Sequence, residues 1–287
     1  MTVTVLEVIR RSTEFLQEKG VESPRLQIEL MLAQALNMPR LKLYLNFDRV
    51  LNEGELGKVR EMVKRRAARE PLQHILGSTS FCGLEIKCSR AALVPRPETE
   101  LLAERAWQFL ATVNSQPATV LDLGTGTGCI PIAIAAKCAG AVIHAVDLSE
   151  EALALTRENA ATHKLAERIV FHSGDLFAAL PAGSCFDLIV SNPPYIAAEE
   201  IAMLEPEVCK FDPRLALDGG ADGLDFYRRI AREAAAFLKP HAKVMVEFGD
   251  GQEAALEKIF CDEKWIVDTI VPDYSSRPRI LIARRDE

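Results

Sequence analysis

The chain changes its hydrophobic rhythm once, and the change divides it. Over the first 75 residues apolar side chains recur at helical spacing. Val5, Leu6, Val8, Ile9, Phe15 and Leu16 form one such stripe, which Gly20 ends. Ser23-Pro24 then opens a second helix, with a capping hydroxyl ahead of a first-turn proline. Its Leu26, Ile28, Leu30, Met31, Leu32 and Leu36 are spread widely enough to bury most of its circumference. Pro39 starts a short third helix through Tyr44, and Asn52 caps a fourth that runs to the neighbourhood of Glu70. Together these predict a small helical bundle.

Residues 78–95 break that rhythm. Phe81, Leu84, Ile86 and Leu93 around Gly83 predict a β-hairpin. Pro97 is placed to begin the helix ETELLAERAWQFLATV, whose early glutamates suit a helix N-terminus. From residue 118 onward short apolar runs alternate with helices. ATVLDLG, AVIHAVDLS, RIVFHSGD, CFDLIVSNPPY and AKVMVEFG read as strands, while CIPIAIAAKC, SEEALALTRENAATH, FYRRIAREAAAFLKP and QEAALEKIF read as helices. WIVDTIVPD and RPRILIARR close the chain as two successive strands. The pattern predicts an α/β fold, a parallel sheet covered on both faces with an antiparallel pair at one edge. The expected divisions are a helical domain at 1–75, a hairpin linker at 76–98 and a Rossmann-like, seven-stranded domain at 99–287.

Composition narrows the class. With 287 residues, 48% of them hydrophobic, the chain can fill a sizeable core. No stretch approaches the roughly 18 uninterrupted apolar residues of a spanning helix, so no membrane partner is expected. The N-terminus has two arginines after its first apolar residues and no small-residue cleavage site, unlike a signal peptide. Seven cysteines, none in a C-x-x-C pair, predict a reduced, cytoplasmic protein with thiols as core filler and no metal site. The net charge of −7 is uneven: residues 1–90 net +4 and the remainder −11. The basic run KVREMVKRRAAR at 58–69 is therefore expected to be a solvated helix face, not a nucleic-acid surface.

Chemistry concentrates at the ends of the predicted parallel strands. Gly124, Thr125, Gly126, Thr127 and Gly128 form a glycine-rich turn between strand and helix, where backbone can approach a ligand closely. Asp147 ends the next strand, at the spacing where an acid accepts hydrogen bonds from ribose hydroxyls. Asp175 and Leu176 follow the third strand, where a carboxylate can meet the adenine amine and an apolar side chain the ring. Each feature alone also fits a turn or a helix cap; three in succession point to a nucleoside.

The fourth strand runs directly into Asn192-Pro193-Pro194-Tyr195. The prolines fix φ and remove backbone donors, leaving the Pro193 carbonyl a rigid acceptor. Asn192 adds a side-chain acceptor, and Tyr195 a flat face for a planar group. Such a pair can receive both protons of an NH₂ group and aim its nitrogen lone pair. The chemistry expected is methyl transfer from S-adenosyl-L-methionine to a planar amide or amine nitrogen, leaving S-adenosyl-L-homocysteine.

At these residues the chain resembles the HemK/PrmC family of N5-glutamine methyltransferases, which modify class I peptide chain release factors. The resemblance runs nearly full length: Glu70 to Gly77 (EPLQHILG), VPRPETE (94–100), DLGTGTG (122–128), SNPPY (191–195) and Phe211 to Gly220 (FDPRLALDGG). PRPETE discriminates best, since the sister family acting on a ribosomal-protein glutamine differs there. The resemblance implies a class I methyltransferase domain, with cofactor contacts at Gly124 to Gly128, Asp147, Asp175, Leu176 and Asn192. It also implies that Asn192 to Tyr195 hold the glutamine amide of a Gly-Gly-Gln loop, and that the N-terminal domain grips the release factor. One departure is visible, as many relatives carry an aromatic residue where Leu176 stands. A monomer with no direct nucleic-acid contact is expected. The alternatives are a ribosomal-protein or nucleic-acid amino methyltransferase sharing the NPPY pocket, a nicotinamide oxidoreductase suggested by the glycine loop, and a non-enzymatic binding module.

Overall fold

The computed structural model describes residues 3–113 and 117–286, in two compact units. The first comprises Met1–Ser78 together with Glu205–Phe211. Its helices are α1 (Val5–Glu18), α2 (Pro24–Ala35), α3 (Arg40–Leu43), α4 (Glu53–Ala67) and α5 (Leu72–Leu76). Capping boxes start α1 and α4: Thr4 exchanges hydrogen bonds with Glu7, and Asn52 with Glu55.

Helix α2 departs from expectation twice. Ser23 sits in the left-handed region at φ 45° and makes no side-chain cap, so the first-turn proline alone marks the start. The helix is also not apolar all round, for Leu26 is 44% exposed while Glu29 is buried. That carboxylate is tolerated because Arg25, Arg40 and the Tyr44 hydroxyl donate to it at 2.9–3.1 Å. Helix α4 stops at Ala67 because Arg69 turns left-handed at φ 68°, and α5 follows where none was predicted.

The basic run is a solvated face only in its earlier part, where Lys58, Arg60 and Lys64 are exposed; its later arginines are engaged. Arg65 pairs with Glu70, and Arg66 and Arg69 both donate to Glu207 Oε1 at 2.6 Å. Arg66 is only 4% exposed. The charges of Arg66 and Arg69 are met inside the unit by Glu205 and Glu207 of the segment that returns to it.

The second unit comprises Thr79–Leu204 and Asp212–Glu287. Strands β1 (Ser78–Phe81) and β2 (Leu84–Lys87) pair through a turn at Cys82 and Gly83, both with positive φ. Then come α6 (Pro97–Leu110), β3 (Thr119–Leu123), α7 (Cys129–Lys137), β4 (Val142–Asp147), α8 (Glu150–Thr162), β5 (Ile169–Ser173) and β6 (Phe186–Ser191). After α9 (Pro206–Phe211), which belongs to the first unit, follow α10 (Asp225–Glu233), β7 (Leu238–Glu247), α11 (Glu253–Asp262), β8 (Trp265–Pro272) and β9 (Pro278–Arg285).

The large sheet has the order β5-β4-β3-β6-β7-β9-β8, parallel from β5 to β7 and antiparallel for β9. Every residue of β6 is buried, as a strand covered on both faces requires. Leu102, Ala106 and Ile132 pack on one face, and Tyr227, Ile230 and Phe260 on the other. Chain order reverses between β3 and β6, which opens a crevice at their carboxyl ends. One expected helix is too long, because Lys239 and Pro240 already lie in β7. A residue before proline disfavours helical φ/ψ, and a bulge between Phe186 and Leu188 absorbs the extra strand length. The cysteines are free, but Cys185 and Cys261 are exposed, so core filling does not hold for those two.

Candidate active site

The turn after β3 is fastened from behind. Gly124 and Thr125 amides both donate to Val146 O, at 2.9 and 3.0 Å. The Gly126 amide donates to Asp147 Oδ2 at 2.8 Å, and Thr156 Oγ1 donates to Gly126 O at 2.9 Å. Asn159 Nδ2 holds Thr127 O at 2.9 Å. Gly124, at φ 75°, meets nothing within 4 Å where a Cβ would stand, so bare backbone faces open space.

That space is a cavity of about 340 Å³ within the second unit. It gathers Gly124, Thr125, Gly126, Thr127, Asp147, Asp175, Leu176, Asn192 and Pro194 around one volume. Gly128, Pro193 and Tyr195 are not among its described lining. Gly128 instead caps α7, where a Cβ would come within 2.5 Å of Thr156. Pro193 is buried and Tyr195 half-buried, its carbonyl accepting from Gln252 Nε2 at 2.9 Å. Burial pushes the Tyr195 hydroxyl up to about 12, which keeps it neutral.

Several lining residues gave no chemical signal in the sequence. Ala92, Val94, Arg96 and Thr99 come from the segment around PRPETE, and Phe226 and Arg229 from α10. Arg229 pairs with Asp175 at 2.9 Å, an ion pair that spacing alone could not reveal. Arg96 donates to the buried Asp212 at 2.8 Å and so ties VPRPETE to FDPRLALDGG. That second segment runs beside the loop after NPPY, with the Gly219 amide donating to Ile196 O at 2.8 Å.

The acids differ in their roles. Asp147 has both oxygens engaged, Oδ2 by Gly126 and Oδ1 by the Ser149 amide at 2.9 Å; burial raises its pKa against these bonds. Asp122 lies beneath the turn, wholly buried, with the Thr125 side chain beside it favouring its anionic form. Burial pushes it up to about 7. Asn192 Nδ2 donates to Thr99 Oγ1 at 3.1 Å, which leaves its carbonyl oxygen as the acceptor available to a ligand.

A glycine turn after β3, an acid at the end of its neighbour β4 and NPPY at the end of its other neighbour β6 define a methyltransferase domain. The sequence matches the family models described as the PrmC N-terminal domain over residues 7–77 and the methyltransferase small domain over residues 103–209. It is 44% identical to a release factor glutamine methyltransferase of Geobacter sulfurreducens, over 90% of this chain and 88% of that protein. It is 36% identical to another from Fusobacterium nucleatum, over 98% of this chain and 78% of that one. Among solved structures, a methyltransferase from Pyrococcus furiosus shares the fold with TM-score 0.51 and 20% identity, covering 70% of this chain and 88% of its own. The chain belongs to the release factor glutamine methyltransferase family.

Proposed function

We propose that the protein transfers a methyl group from S-adenosyl-L-methionine to the side-chain amide nitrogen (N5) of the glutamine in the Gly-Gly-Gln motif of class I peptide chain release factors, supporting translation termination. The observation that carries this reading is Asn192, whose Nδ2 is committed to Thr99 while its side chain lines the same cavity as Gly124 and Asp147. An amide acceptor is thereby held beside a nucleoside-sized space.

The residues present suit the cofactor. Gly124 to Thr127 offer close backbone approach, Asp147 a ribose acceptor, and Leu176, 6% exposed, an apolar surface for the ring. The Thr125 hydroxyl, on the cavity lining, supplies a polar group for the charged tail. When bound, the cofactor contributes an electrophilic sulfonium methyl. Asn192 and the Pro193 carbonyl would receive the two amide protons and keep electron density on the nitrogen. The NPPY turn would hold that nitrogen in line for attack.

The first unit is the proposed release-factor grip. Leu41 and Leu45, four residues apart, are 73% and 86% exposed, and the basic arginines beside α5 are already paired. That combination suits an apolar protein contact better than a nucleic acid. Mass spectrometry of a Gly-Gly-Gln peptide after incubation with isotopically labelled cofactor tests the reaction. A mass gain on the glutamine is expected; duplex DNA or rRNA labelled in its place would overturn it.

A further inference from the structure

Glu247 is the last residue of β7, one position beyond Val246, which pairs with Ser191 of β6. Asn192 and Glu247 therefore leave the sheet side by side at its carboxyl edge. Glu247 is 1% exposed and its Oε2 has no partner. Its backbone is pinned as well, for the Tyr227 hydroxyl donates to Glu247 O at 2.8 Å. Nothing in the amide clamp described above uses this buried acid.

Counting donors shows what it does. The carboxyl is faced by the side chains of Thr99 and Asn192, both of which favour its anionic form. Asn192 Nδ2 carries two protons, and one goes to Thr99 Oγ1 at 3.1 Å. Having accepted that bond, the Thr99 hydroxyl has its single proton left for Glu247. The second Nδ2 proton also faces the anion. Flipping the carboxamide would set Oδ1 against the carboxylate, lone pair against lone pair, and Thr99 could meet that oxygen only by taking its proton away from Glu247, in a buried place where such mismatches are costly.

We propose that Thr99 and Glu247 are positioning residues that hold the Asn192 carboxamide in the orientation presenting its Oδ1 to the substrate nitrogen. This rests on the methyltransferase reading of the same site. It also gives PRPETE a chemical task, because Thr99 is its threonine.

The arrangement has a titration built in. Burial pushes Glu247 up to about 7, helped by the like charge of Glu98 on α6 and against the contacts with Thr99 and Asn192 and the attraction of Arg279 on β9. The Tyr195 and Tyr227 hydroxyls also face it and stay neutral. A protonated Glu247 donates as well as accepts, so it no longer selects one carboxamide orientation. Turnover at saturating substrate should fall as pH drops through about 7.

The test uses the full-length chain with Thr99→Val, Thr99→Ser and Glu247→Gln, measuring kcat, KM for the Gly-Gly-Gln peptide, and cofactor affinity by calorimetry. Thr99→Val should lower kcat by about tenfold to a hundredfold while KM and cofactor affinity hold, because orientation is lost and binding is not. Thr99→Ser should restore turnover. Glu247→Gln, isosteric and able to report even if Thr99→Val misfolds, should lower kcat and remove the acidic limb of its pH profile. Wild-type turnover in both Thr99→Val and Glu247→Gln, or an acidic limb that persists in Glu247→Gln, overturns the assignment. So does a matching loss of cofactor affinity, which marks a merely structural role. A wild-type chain that binds cofactor but leaves the peptide unmethylated fails the functional reading itself.

Discussion

Asp147 Oδ2 accepts the Gly126 amide at 2.8 Å, so the acid that ends β4 also shapes the glycine turn that follows β3. One carboxylate serves both the loop and the proposed ribose contact.

Asp147→Ala should therefore weaken cofactor binding by more than a ribose hydrogen bond alone. Each lost charge-assisted bond is worth about 1.5–3 kcal/mol, and the loop loses its own tie as well. Asp147→Asn keeps one acceptor oxygen and should fall between. Calorimetry on folded protein decides, and unchanged affinity in the alanine variant would mean that the ribose lies elsewhere.

The Arg66–Glu207 pair at 2.6 Å should stabilise the first unit out of proportion to its size. Both side chains are largely shielded, and removing one partner of a buried pair typically costs about 3–5 kcal/mol. Burial opposes ionisation of Glu207, but the bonds from Arg69 and Arg66 outweigh it and its pKa is lowered. The contribution is accordingly present above the ordinary carboxylate range and lost as pH falls through the depressed value. Thermal unfolding of Glu207→Gln should show a lower midpoint than wild type at neutral pH, with the gap closing in strong acid.

Asp122 has the opposite sign. Its carboxyl titrates at about 7 in the folded chain, well above its unfolded value, because burial disfavours the charge. The folded state holds that proton more tightly. Its contribution to stability is thus complete below the unfolded pKa and lost as pH rises through about 7. Glu247 and Asp212, pushed to about 7 and about 6, act in the same direction. The midpoint of ligand-free protein should drop between about pH 4 and pH 7, and less steeply in Asp122→Asn.

Strands and turns were readable because period and glycine placement are local signals. β3 through β9 fall where apolar runs predict them, and the cavity collects Gly124, Asp147 and Asn192 from three strand ends. What stayed hidden depends on partners distant in the chain. Glu29 looks like a surface glutamate until Arg40 and Tyr44 fold onto it. Arg66 reads as part of a basic face until Glu207 returns, 141 residues later, to neutralise it. Glu247 follows an apolar strand like any other end-of-strand acid, and only the β6–β7 register sets it beside Asn192.

If the exposed pair on the first unit grips the release factor, Leu45→Glu should act on docking alone. It is 86% exposed, so folding should tolerate the change. The expected result is a raised KM for whole release factor, with kcat on it and all constants on a Gly-Gly-Gln peptide unaltered. Equal constants on both substrates would remove this face from the interaction.

The sharpest prediction concerns Asn192 itself. Asn192→Ala removes an acceptor at the point where charge develops, and losing one such preorganised contact typically costs about a hundredfold to a thousandfold in turnover. The backbone turn should persist, since Pro193 and Pro194 set it. Release-factor binding should therefore survive while kcat collapses, and cofactor affinity should fall less, as Asn192 is one of several lining groups. Asn192→Asp is the finer probe. It retains an acceptor oxygen but sets a second carboxyl beside buried Glu247, whose own carboxyl already titrates at about 7. Two acids sharing one buried place cannot both ionise readily, so one pKa must rise further. The aspartate variant should recover some turnover only at higher pH, with its acidic limb displaced upward from that of wild type. A folded Asn192→Ala chain with near-normal kcat on release factor, or an Asn192→Asp profile that overlays wild type, would overturn the amide clamp.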